Sequence, residues 1–235
     1  MIIIIKKKKI LFVIILLCVC FFGVKRINKT EEVSAIILEN KTIILDAGHG
    51  FPDEGAVAKD GTSEEKINLE IVLKLQELLK LSGVDVILTR VDENGIYDTE
   101  EESIRNKKVS DMKNRVNIGN TSNADIFVSI HLNKFENEKY KGYQTFYNKK
   151  NEKSERLAKL IQENLKQTMK DKNKRESLSI KNKYLMDNLK IPAVIIECGF
   201  LSNKEDLENL KQEEYQKKIA WGIYLGIMEF FEEKQ

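Results

Sequence analysis

The sequence predicts an α/β fold: a single domain with a mostly parallel, twisted central sheet covered by helices on both faces. Three observations point there. Apolar runs of strand length recur at residues 42–45, 84–88, 125–130 and 193–196, each flanked by helical patterns, as expected for strands buried on both faces. Ile67, Ile71, Leu75 and Leu78 recur at helical spacing, with Gly83 closing the run. The chain of 235 residues is 42% hydrophobic and holds only two prolines, enough to bury one core of ordinary domain size.

The N-terminus stands apart from that domain. Lys6 to Lys9 precede an apolar run over residues 10–24, which Lys25 and Arg26 close. This is the pattern of an export signal. As a helix the run would span about 22 Å, short of the roughly 30 Å hydrocarbon core, although flanking lysines can snorkel. The expectation for residues 1–29 is therefore a signal peptide or a membrane anchor, with the protein exported across a membrane. Residues 30–40 read as a spacer, and the domain as 41–235. Cys18 and Cys20 fall inside the apolar run, so Cys198 stands alone in the domain and no intrachain disulfide is expected there. Seven of the 39 basic residues lie in residues 1–29, which contain no acid, leaving 32 against 37 acidic ones, a balance of −5. That argues against a nucleic-acid partner, which needs a basic footprint on the folded part.

Along the domain, the first strand leads into Asp46-Ala47-Gly48-His49-Gly50. A helix then begins at Thr62-Ser63. With Thr62 as N-cap, Glu65 falls at the third helical position and completes a capping box, which frees Glu64; the opposite assignment stays open, because it turns on one residue. Residues 92–103 read as a polar rim loop. Residues 143–147 add a strand within the first of two lysine-rich surface segments, 134–153 and 170–183. Ala220, Ile223, Tyr224, Ile227, Met228 and Phe231 form the inner stripe of the last helix.

The chain has only two histidines, His49 and His131, and both sit where a buried strand is expected to end. Ligands of open α/β sheets bind beyond the carboxyl ends of strands. His49, His131 and Glu197 follow three of the predicted strands, and Glu64 or Glu65 opens the first helix, so all should meet at one edge. Two imidazoles with a carboxylate are a common first shell for catalytic zinc. Glu197 ends a strand whose preceding residues are all apolar, so it is either a structural ion-pair partner or a catalytic group, and a carboxylate buried there requires a nearby cation. Cys198 offers a rival, a Cys–His nucleophile pair, or else packs as a small hydrophobe. The Gly-rich stretch 48–55 lacks the spacing of a phosphate loop.

These residues resemble the zinc-dependent N-acetylmuramoyl-L-alanine amidases of the Amidase-3 type. The matching pieces are Ile44-Leu45-Asp46-Ala47-Gly48-His49-Gly50, Gly61-Thr62-Ser63-Glu64 with Asn68-Leu69, Leu88-Thr89-Arg90, Arg115 with Asn120, the run from Ala124 to Asn133, and Glu197-Cys198-Gly199-Phe200-Leu201-Ser202-Asn203. The resemblance implies that His49, Glu64 and His131 hold Zn2+ and that Glu197 is catalytic, in hydrolysis of the amide joining N-acetylmuramic acid to L-alanine of peptidoglycan. Ala47, Phe51 and Glu65 depart from the usual Pro, Gly and Lys. The chain is most similar to the sporulation amidases that trim spore-cortex peptidoglycan before muramic-δ-lactam forms. The sequence leaves open an activating protein partner, and a second reading as a catalytically silent peptidoglycan-binding scaffold that keeps the amidase fold.

Overall fold

The computed structural model describes residue 38, residues 40–100 and residues 102–232. The expected signal or anchor, and the spacer apart from Leu38 and Asn40, lie outside the described residues. None of the described helices is long and apolar enough to cross a membrane.

The elements are, in chain order, β1 (Thr42–Ala47), α1 (Glu64–Leu81), β2 (Asp85–Leu88), α2 (Ile104–Thr121), β3 (Ile126–Asn133), β4 (Gln144–Tyr147), α3 (Glu152–Met169), β5 (Leu178–Ser179), α4 (Tyr184–Asn188), β6 (Ala193–Phe200), α5 (Lys204–Leu210) and α6 (Glu213–Glu232). One six-stranded sheet has the order β2-β1-β3-β6-β4-β5. Every pairing is parallel except β4 with β6. The four apolar runs are its centre and one flank, and the run over residues 143–147 supplies β4.

Alternation along the strands divides the interior in two. Ile43, Leu45, Val128, Ile130, Val194 and Ile196 face the larger core, which α1, α3 and α6 cover, whereas Ile44, Phe127, Ala193 and Ile195 face a smaller one beneath α2 and α4. The stripe of α6 packs as its periodicity implies, with Ile219, Ile223 and Ile227 fully buried. Leu38 also joins the larger core, and its amide donates to the Ser82 carbonyl at the end of α1.

Two expectations change. Strands β3 and β6 do not stop before their polar residues: they run on to Asn133 and Phe200, so His131 and Glu197 lie within strands. Leu132 and Cys198 bury the next alternating positions, and burial carries the strands past a single polar side chain. The cap of α1 is Ser63, not Thr62, and no side chain caps the helix. A capping box is unnecessary because the incoming loop satisfies the first free amides: Glu64 donates to the Ala56 carbonyl at 2.8 Å and Glu65 to the Glu54 carbonyl at 3.3 Å.

Candidate active site

The loop after β1 is held from beneath by two buried arginines. Arg90 donates through Nε to the Ala47 carbonyl at 2.9 Å and through Nη2 to the Gly48 carbonyl at 3.1 Å. Arg115 donates to the Ala47 carbonyl at 2.8 Å, to the His49 carbonyl, and to the carboxylate of the buried Asp46. Asp46 also accepts from the Thr89 hydroxyl at 2.7 Å and from the Ser129 hydroxyl at 2.6 Å. Burial opposes its ionisation, but the Arg115 guanidinium and the two hydroxyls hold its carboxyl below the usual range. So clamped, His49 takes a left-handed backbone, φ 63°, a conformation that non-glycine residues adopt at a cost and that clusters at functional sites.

Three side chains converge above this loop. Glu64 Oε1 lies 3.3 Å from His49 Nε2 and 3.0 Å from His131 Nδ1, and one donor atom from each residue falls within 4.8 Å of the others. The Glu64 carboxylate is fixed in turn by the Leu132 amide at 2.9 Å and the Ala56 amide at 2.8 Å. The imidazole rings meet edge to face, 5.0 Å apart. Two glycines make room for them: a Cβ at Gly48 would stand 2.3 Å from the His131 ring, and one at Gly55 2.6 Å from Glu64 Oε2. Glu197 is the direct register partner of His131 on the neighbouring strand, and its buried Oε2 has no hydrogen-bond partner.

The comparisons with known proteins concern this same region. Residues 43–229 match the Amidase-3 family model, described as N-acetylmuramoyl-L-alanine amidase. The chain belongs to that family. It is 36% identical over 197 residues to the germination-specific N-acetylmuramoyl-L-alanine amidase of Bacillus subtilis, covering 84% of this chain and 82% of that protein. Among solved structures, the CwlD amidase of Clostridioides difficile, in complex with the GerS lipoprotein, is 52% identical with a TM-score of 0.80, covering 82% of this chain and 98% of that one. An N-acetylmuramoyl-L-alanine amidase of Clostridium difficile 630 is 30% identical with a TM-score of 0.71, covering 83% and 98%. The enzyme is thus a peptidoglycan amidase.

The electrostatics of the amidase site follow from its crowding. Burial raises the cost of charge on Glu64, yet the two imidazoles hold its carboxyl far below the ordinary range. Burial likewise opposes protonation of His49, but hydrogen bonds to Asp53 and Glu64 push its pKa up to about 9. Glu197 goes the other way: burial raises its pKa, Glu64 adds to the rise, and the His131 and Lys183 charges oppose it. Such a shift is what a proton-accepting and proton-donating group requires near neutrality.

Of the rival candidates, Glu65 points away, accepting from the Ser63 hydroxyl at 2.9 Å with its Oε2 buried and unpartnered. Cys198 is buried in the larger core, on the sheet face opposite Glu197, where burial pushes its thiol pKa well up. A protonated thiol in that position cannot serve as the nucleophile of a Cys–His pair. One functional residue escaped the sequence: Asp53, whose Oδ2 sits 2.9 Å from His49 Nδ1 while Lys108 Nζ binds its Oδ1 at 2.8 Å. Its only signal was its position four residues after His49. Arg90, Arg115 and Asn68, which bonds the Gly48 carbonyl at 3.2 Å, were visible only as pieces of the family resemblance.

Proposed function

We propose that the amidase is a zinc enzyme in which His49, Glu64 and His131 bind the metal and Glu197 moves the proton. The bond cut is the amide between the lactyl carbonyl of N-acetylmuramic acid and L-alanine. The observation that carries this reading is the convergence of two imidazoles and a buried carboxylate within 4.8 Å, beside a second buried carboxyl with a free oxygen. The donor set fits zinc: two neutral nitrogens and one anionic oxygen match catalytic sites that keep a further position open. The buried Glu64 charge fits it too, since a cation there offsets its desolvation.

Zinc, when bound, supplies a Lewis acid that polarises the amide carbonyl and makes water available as a nucleophile near pH 7. The protein supplies the rest. Asp53 holds the Nδ1 edge of His49, which leaves Nε2 aimed inward at Glu64. Glu197 accepts the proton of the attacking water and returns it to the departing nitrogen of L-alanine, a role suited to a carboxyl whose pKa burial has raised. Glu197→Gln is expected to retain zinc and to lose peptide release by a factor of about 10² to 10⁴, read by metal analysis alongside chromatography of digested peptidoglycan. Full release by that variant would remove Glu197 from the mechanism.

Similarity to the germination-specific and CwlD amidases supports a place in spore-cortex maturation, with muramic-δ-lactam as the later product. Export to the envelope follows from a peptidoglycan substrate and from the signal-like N-terminal sequence. The complex of the CwlD amidase with the GerS lipoprotein supports an activating protein partner here as well.

A further inference from the structure

Past Glu197, the sheet face that carries the site continues into a patch that bond cleavage itself does not use. Gln144 lies directly across from Glu197 in the antiparallel register of β4 and β6. A one-residue slip pairs Asn133 with Phe200 rather than Gly199, and this bulge brings Phe200 onto the face of Glu197. Arg175 spans the two. Its Nη1 donates to Gln144 Oε1 at 3.0 Å, its Nε donates to the Lys141 carbonyl at 3.3 Å, and its guanidinium stands 5.2 Å from the centre of the Phe200 ring. Phe135 stiffens this shelf from the solvent side, its ring 5.4 Å from that of Phe200. Arg175 has no carboxylate partner among the described residues, so the remaining donors of its guanidinium are uncommitted.

Lys183 supplies a second cation on this side of the sheet. Lys183 immediately precedes α4, whose Leu185 and Met186 are buried against this sheet face. It is exposed and forms no ion pair among the described residues, and its charge reaches Glu197.

Which arm of the substrate passes here follows from the proton. If Glu197 protonates the departing nitrogen, the leaving group lies over Glu197, and the leaving group is the peptide. In stem peptides the residue after L-alanine is D-glutamate, linked through its γ-carboxyl, so its α-carboxyl is either free or amidated. We infer that Arg175 and Lys183 bind that α-carboxylate, so that the amidase selects acidic stem peptides over amidated ones. This rests on the reading of Glu197 given above. A charge-assisted bond to a half-buried guanidinium is among the stronger polar contacts available to a peptide, and its loss is expected to cost about tenfold or more in affinity.

The test is calorimetric binding of two muropeptides, identical except for a free or amidated α-carboxyl, to zinc-loaded Glu197→Gln protein, which does not consume them. The acid should bind about tenfold more tightly than the amide. Arg175→Gln and Lys183→Gln should each shrink that ratio, and the double variant should bind both ligands with the affinity of the amide. The Lys183 side chain makes no hydrogen bond or ion pair among the described residues, so Lys183→Gln alone keeps the test decisive if Arg175→Gln disturbs its loop. Equal binding of acid and amide by the parent, or a ratio that survives in the double variant, overturns the inference and leaves the amidase reading intact. Failure of either muropeptide to bind contradicts the reading of the site itself, and the inference with it.

Discussion

His49 shows how much of this site is decided around one ring. Its backbone is left-handed, its carbonyl accepts from Arg115, its Nδ1 faces Asp53, and only Nε2 points to Glu64. A carboxylate behind a ligating imidazole typically changes metal affinity by 10 to 100-fold. Asp53→Asn should therefore weaken zinc binding by about that factor, with the fold unchanged by circular dichroism; chelator competition reads it, and unaltered affinity would exclude the orienting role. The raised pKa of His49 has its own consequence. In the zinc-free chain its protonation contributes stability that is fully present below 6.5 and is lost as pH rises toward about 9. Zinc competes with that same proton, so affinity should climb over the same window; from pH 7 to 9 the denaturant midpoint should fall in the zinc-free chain and stay level in the zinc-saturated one, and a parallel fall in both would contradict the His49 assignment. The histidines and Glu197 were legible because each follows closely on an apolar run. Asp53 was not, because one carboxylate in a polar loop looks like any other until the fold sets it against an imidazole.

At the scale of elements, every strand but the two-residue β5, which falls in a stretch read as lysine-rich surface, was readable from its run, and α1 and α6 from their stripes. α2 was not: it buries Ser110, Arg115 and Gly119 in place of an apolar face, so only the polar rim loop before it, residues 92–103, was read. What that helix delivers is the clamp of Arg115 on Asp46 and on the loop of His49. Breaking a buried pair from one side strands a charge and commonly costs about 3–5 kcal/mol. Arg115→Met should lower stability by that order in urea unfolding and reduce zinc content at the same time. A loss below about 1 kcal/mol would mean that the loop is held by other contacts. The start of α1 teaches a related lesson. The capping argument placed the boundary at Thr62, one residue early, because it weighed side-chain partners alone; backbone carbonyls of Ala56 and Glu54 take the first amides. Glu64 nevertheless faces the histidines, since at the first turn its carboxylate is drawn to the Leu132 and Ala56 amides.

The whole molecule makes one rim from distant stretches of chain. Parallel strands all present their carboxyl ends on one edge, so β1, β3 and β6 carry His49, His131 and Glu197 to one place, and the N-terminus of α1 meets them there. That convergence was foreseeable from topology. The patch of Arg175, Phe200 and Lys183 was not, because it depends on a bulge in β6 and on a segment, residues 170–183, that read as solvated lysine-rich surface. The measurement that bears most directly on the central claim is zinc content per chain, after saturation and desalting, for the unaltered protein and for His131→Ala, Glu64→Gln and Glu197→Gln. The account predicts one zinc per chain in the unaltered protein and in Glu197→Gln, and loss of zinc in the other two. Zinc retained by His131→Ala and Glu64→Gln, or absent from the unaltered protein, would contradict it.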